Sequence, residues 1–213
     1  MVKRKRPLSA FNCKGFTLVE LLMALVVAGI VSAAVVTLAY ALSTANDVTD
    51  DLSQTQAYVR YATLRISELI RHCKLVCGMP GGDLVIWRAD DNGNRQINVG
   101  ELVYIERGPS RNYLRLCEFS SNNAVVKLSD IDELTTKWWL SYGCYESYTQ
   151  MIPQCSNVEF LLDVPPPNSR FAGISFDVVE NSVAHRYQIN TALHGWSGNL
   201  LDGTGEVVSS DDD

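Results

Sequence analysis

Between Asp90 and Glu101, oxygen-bearing side chains recur at intervals that suit a hard cation. Asp90, Asn92, Asn94, Gln96 and Asn98 fall at every second position of a twelve-residue run, and Glu101 closes it. Carboxylates, amides and backbone carbonyls are the donors that calcium gathers, about six to eight oxygens at a time. The other residues with chemical potential are less organised. His72, His185 and His194 lie in no nucleophile or metal motif such as GxSxG or HExxH. No glycine-rich loop for phosphate occurs, so the residues argue against an enzyme.

The run DDNGNRQINVGE, Asp90 to Glu101, resembles an EF-hand loop. Oxygen side chains sit at its first, third, fifth and ninth positions, with Glu at the twelfth, and Ile97 takes the apolar eighth. The resemblance implies a bound Ca2+ held by Asp90, Asn92, Asn94, Gln96, Asn98 and Glu101. Arg95 departs from it, because the sixth position of such loops is a Gly that makes the sharp turn. The competing reading is a polar hairpin loop built on the turn chemistry of Asn92-Gly93.

The elements that hold this loop read as strands. Asp83–Arg88 and Leu102–Arg107 flank it, and Tyr113–Phe119, Ala124–Leu128, Val158–Val164, Gly173–Val179 and Ala184–Ala192 have the same β-rich composition. Glu180-Asn181-Ser182 suits a hairpin turn. Pro165-Pro166-Pro167 suits a rigid extended connection. Trp138-Trp139 is expected in a short helix or strand, as core or interface. Upstream, Leu52, Val59, Ala62, Ile66, Leu69, Cys73 and Val76 recur at helical steps and predict an amphipathic helix that ends at the Gly78-Met79-Pro80-Gly81-Gly82 cluster. A helix packed on an antiparallel sheet is an α+β fold.

The N-terminal stretch is of another kind. The first fifteen residues hold Lys3, Arg4, Lys5, Arg6 and Lys14 and no acid. The chain as a whole carries 18 Lys and Arg against 24 Asp and Glu, so without those five bases the remainder stands near −11 by side chains, about twice the excess of the whole. That acidity argues against a nucleic-acid surface, which needs clustered Lys and Arg. Phe16 to Leu42 is apolar apart from Glu20 and a few hydroxyl residues, and no charge occurs from Leu21 to Asn46. As a helix it spans a hydrocarbon core about 30 Å thick. Bases before it and Asp47, Asp50 and Asp51 after it predict an inside N-terminus. A secretory signal cut at Val31-Ser32-Ala33 is one reading and an uncut signal anchor is another. Neither explains Glu20, a charge that costs about 2.5–3.5 kcal/mol near the centre of a span.

GFTLVELLMALVVAGIV after Lys14 resembles the prepilin signal of type IV pilins and type II secretion pseudopilins. The resemblance implies cleavage by prepilin peptidase between Gly15 and Phe16, N-methylation of Phe16, and a role for Glu20 in pairing with the new amine of a neighbouring subunit during assembly. A carboxylate and an ammonium are each costly in lipid and tolerable together. The competing reading of Glu20 is an acid that snorkels to the membrane edge. The helix would continue from Phe16 to about Val76, about 90 Å at 1.5 Å per residue, with Gly29 as a soft point. The alternative is two helices parted by a loop near Ser43–Thr49.

Five cysteines remain beyond the leader that holds Cys13: Cys73, Cys77, Cys117, Cys144 and Cys155. Two disulfides and one thiol would suit an oxidising compartment, with Cys144–Cys155 as the preferred bridge. Zinc ligation is the alternative, though close CxxC pairs are absent. Cys73 and Cys77 would share a helix face.

The expected organisation is a leader at 1–15, a transmembrane helix half at 16–42, an amphipathic half at 43–78, a β-rich domain at 79–195 and a loose acidic tail at 196–213. The layout is most similar to the J-type minor pseudopilins. This implies a structural subunit of a type II secretion pseudopilus, single-pass in the inner membrane with its globular domain outside the cytoplasm. Its partners would be other pilin-like subunits and secreted cargo. A minor type IV pilin for adhesion or DNA uptake, and a secreted or anchored enzyme cut after Ala33 or Ala34, are the other readings.

Overall fold

The computed structural model describes residues 17–180, 183–195 and 201, with 47, 48, 50 and 51 as backbone. It divides into two compact units, 1–50 and 51–213. The expected α+β fold is what it shows, a long N-terminal helix followed by antiparallel sheets.

Helix α1 runs Leu18–His72, 55 residues, without the break allowed for at Ser43–Thr49. In the first unit its described side chains are exposed. The hydroxyls there do not interrupt it, because Thr37, Thr44 and Thr49 donate back to the carbonyls of Ala33, Tyr40 and Ala45. Such back-bonding hides a polar group inside an apolar helix.

In the second unit the amphipathic pattern is realised. Val59, Ala62, Ile66, Leu69 and Ile70 are buried, while Tyr58, Tyr61 and Leu64 face outward. Arg71 and His72 occupy the last turn, where cations suit the negative end of the helix. The helix stops there, short of the expected Val76. Lys74 N donates to Trp87 O at 2.8 Å, and Leu75–Gly78 becomes strand β1. Leu75 and Val76 are wholly buried, and sheet pairing there replaces helical bonding.

Strands β1, β2 (Leu84–Trp87), β3 (Leu102–Arg107), β4 (Leu114–Phe119) and β5 (Glu146–Ile152) form an antiparallel meander in chain order. Strands β6 (Ser156–Leu162), β7 (Phe171–Glu180) and β8 (Val183–Ala192) form a second antiparallel sheet. Both faces of the first sheet are covered. Leu84, Ile86, Val103, Ile105, Leu114 and Leu116 form one core with the α1 stripe and with Ala172, Ile174, Phe176, Val178 and Ile189 of the second sheet. Val85, Trp87, Leu102, Tyr104, Cys117 and Phe119 form another, closed by Ile97, Val99, Val126 and Trp139. A strand buried on both faces reads as a continuous apolar run, as Leu84–Trp87 does.

Two other expectations differ, and a third, for Trp138-Trp139, is met. Ala124–Leu128 is not a strand; Val125 makes a single bridge to Asn98, and the backbone then turns through a 3-10 turn at Leu128–Asp130. Pro165-Pro166-Pro167 is a turn, closed by Asn168 N on Pro165 O at 3.3 Å. Trp138-Trp139 begin a 3-10 helix at Trp138–Tyr142, with Trp139 buried against Phe119. The β7–β8 hairpin closes on the pair Glu180/Val183; Asn181 and Ser182 lie outside the described residues, as does the expected loose tail apart from Leu201, which packs on the second core.

Candidate functional site

The 90–101 segment links β2 to β3 and is fastened at both ends. Arg88 N donates to Glu101 O at 2.9 Å, and Val126 N to Ile97 O at 2.9 Å. Ile97 and Val99 sink into the second core. Gly100 is needed for close approach, since a Cβ there would stand 2.7 Å from Asn122 N. The apolar eighth position of the loop is thus its hydrophobic anchor.

Of the six residues singled out from sequence, Gln96 is exposed and the other five fall into two groups. Asp90, Asn92 and Asn94 turn their oxygens onto backbone donors of the loop itself. Asp90 Oδ1 accepts from Asn94 N at 3.1 Å and its Oδ2 from Arg95 N at 2.9 Å. Asn92 Oδ1 accepts from Asn94 N at 2.8 Å and Asn94 Oδ1 from Gln96 N at 2.9 Å. Asn98 and Glu101 are buried. Glu101 Oε1 accepts from Asp91 N at 2.9 Å, and its Oε2 from Trp87 Nε1 at 2.9 Å and Asn98 N at 3.3 Å. A buried carboxylate requires such donors. Arg95 has φ +60° and Gly93 φ +69°, so Arg95 adopts the left-handed backbone that a Gly would supply more cheaply. Among the described residues, no three His, Cys, Asp or Glu converge as a metal-holding group.

At the other end of the chain, Gly15 and Phe16 lie outside the described residues. Glu20 lies one turn into α1 and is exposed. Its Oε2 accepts from Thr17 N at 3.0 Å and Thr17 Oγ1 at 2.9 Å, and Glu20 N donates to Thr17 Oγ1 at 3.2 Å. This is a reciprocal capping box. The Thr-x-x-Glu spacing is its signal in the sequence, set at the head of an apolar run. The span Leu18–Asn46, 29 residues and none of it buried, is long and apolar enough to cross a membrane.

Among the described residues the cysteines do not pair. Cys73, Cys77, Cys117, Cys144 and Cys155 are all free and buried. The expected Cys144–Cys155 bridge is corrected by placement, because Cys144 sits in the second core and Cys155 in the first, on opposite sides of the five-stranded sheet. Cys73 and Cys77 are likewise separated, since Cys77 belongs to β1 and not to the helix. Burial pushes the Cys73 and Cys117 thiols up to about 12 and Cys155 to about 11. It also raises Cys77 and Cys144. These are core side chains and poor nucleophiles.

Residues 11–36 match the family model of the prokaryotic N-terminal methylation motif. No curated protein and no solved structure matches the chain. The motif indicates a pilin-like protein. It points to processing by prepilin peptidase and assembly with other pilin-type subunits, and the apolar helix fits a membrane-anchored chain.

Proposed function

We propose that this chain is a minor pseudopilin of a type II secretion system, of the J-type layout. Prepilin peptidase cuts it between Gly15 and Phe16 and methylates Phe16. The mature helix then packs with those of other subunits in the inner membrane, with the globular domain outside the cytoplasm and in contact with secreted cargo. The observation that carries this reading is the methylation motif over residues 11–36, in register with Glu20. Small residues on the helix, Ala24, Ala28, Gly29, Ser32, Ala33 and Ala34, suit close helix approach in lipid. Glu20 acts as the register device. Its Oε2 is held by Thr17, which keeps the carboxylate at the start of the helix, where the amine of a neighbouring subunit arrives.

The test is the mass and N-terminal sequence of the mature protein from membranes of its own host, with co-isolation of its partners. A chain beginning at methylated Phe16, recovered with secretion-system subunits, supports the proposal. Recovery with pilus subunits instead overturns the choice of machine. A start near Ala34, or an uncut chain, overturns the pilin-like reading itself.

A further inference from the structure

We propose that the 90–101 loop binds calcium. The donor set fixes the class of ion. Every candidate ligand is oxygen: the side chains of Asp90, Asn92, Asn94 and Glu101, the Gln96 main-chain carbonyl, and a water held beside Asn98. An all-oxygen set without thiolate or imidazole selects a hard divalent cation over zinc or copper. The irregular mixture of carboxylate, amide and carbonyl suits the flexible shell of calcium better than the small octahedron of magnesium.

The oxygens have capacity left. Asp90 Oδ1 and Oδ2 each accept one backbone N–H, and Asn92 Oδ1 and Asn94 Oδ1 do the same. Each of these atoms has a second lone pair for an ion.

Asn98 points to a ligand independently. It is wholly buried, and its Oδ1 accepts from Asn94 Nδ2 at 2.9 Å, so the side chain is aimed into the loop. Its Nδ2 is buried with no partner. Buried amide nitrogens are nearly always satisfied, and the exceptions call for a specific cause. In loops of this spacing the ninth position commonly reaches calcium through a water. A water held by the ion against Asn98 gives that nitrogen its acceptor. The hairpin-loop alternative leaves the nitrogen idle.

The affinity follows from charge. Two carboxylates among mostly neutral ligands, with the Arg95 cation in the loop, place the dissociation constant in the range of about 10⁻⁴–10⁻³ M. Arg95 opposes binding twice, by its charge and by occupying the left-handed position, φ +60°.

The experiment is calorimetric titration of the full chain in detergent, stripped with chelator, first with calcium chloride and then with magnesium chloride. Saturable calcium binding at least about tenfold tighter than magnesium is expected. Asp90→Asn should weaken it about tenfold, and Arg95→Gly should tighten it severalfold. Circular dichroism checks that each variant is folded, and Arg95→Gly keeps the test decisive if Asp90→Asn is not. Absence of saturable calcium heat in the folded chain overturns the site. So does binding that neither folded variant changes, or equal affinity for magnesium. The site stands on the loop alone, so its failure leaves the processing and assembly reading untouched.

Discussion

Trp87 Nε1 donates to Glu101 Oε2 at 2.9 Å, and this bond ties the last residue of β2 to the turn that launches β3. Both residues are buried, at 2% and 4% exposure, so the carboxylate depends on its N–H donors. Trp87→Phe keeps most of the ring volume and removes the donor. We expect it to lower unfolding free energy by about 1–3 kcal/mol, read by urea denaturation. No loss would show that the bond is replaceable by water.

Within the second unit, the α1 segment should be held by its buried stripe and not by its outer face. Ile66 is wholly buried in the first core, whereas Leu64 is 64% exposed. Ile66→Ala should cost about 2–5 kcal/mol, and Leu64→Ala under about 0.5 kcal/mol. Thermal unfolding of both variants side by side checks the contrast. Equal effects would contradict the packing.

Glu106 and Arg115 form a cross-strand ion pair on β3 and β4, with the Glu106 side chain 5% exposed. Arg115 also lies over the Tyr148 ring, 3.7 Å from its centroid. Burial raises the Glu106 carboxyl, and the Arg115 hydrogen bond and charge oppose that rise. Arg115→Met removes the opposition and drives the carboxyl higher. A carboxyl raised in the folded state binds its proton more tightly there than in the unfolded chain. The variant's stability is therefore greatest below the unfolded carboxylate range and falls as pH rises through the folded value. At neutral pH the loss should be about 3–5 kcal/mol, with part restored by a second change, Glu106→Gln. Denaturation curves across acidic to neutral pH test both the slope and the rescue.

The five thiols outside the leader should be silent in the native chain. With Cys73 raised to about 12 from an ordinary 9.0, its thiolate fraction near neutral pH drops about a thousandfold, before steric protection is counted. Iodoacetamide should leave Cys73, Cys77, Cys117, Cys144 and Cys155 unmodified until denaturant is added, when all five react without a reductant. If Cys144 and Cys155 reacted only after reduction, they would be bridged and the packing of both cores would need revision.

The legible parts of the fold were those where one physical signal dominated. Leu102–Arg107 emerged at its exact bounds because a short apolar run between polar loops has few alternatives. Strand β1 was hidden because Val76 continues the helical spacing of Leu69 and Cys73; the competition between helix and sheet is settled by a partner, Trp87 O. Strand β5 was hidden for the opposite reason. It edges the sheet, and most of Glu146–Ile152 is exposed and polar, so its side chains carry no inward pattern. At the loop, donor spacing was readable, but the orphaned Asn98 nitrogen was not, since burial of an amide depends on how Ile97 and Val99 anchor its neighbours. The separation of Cys144 from Cys155 was equally invisible, because closeness along the chain does not reveal which side of a sheet each residue joins.

The five-stranded sheet, covered on both faces, acts as a partition. The helix stripe and the second sheet pack on one side, and the loop, Trp87, Trp138, Trp139 and the short turns on the other. The apolar side chains of the two sides fall in separate clusters, so changes placed well apart on the two sides should combine additively. A chain divided in this way can change its loop side without disturbing how its helix stripe is seated.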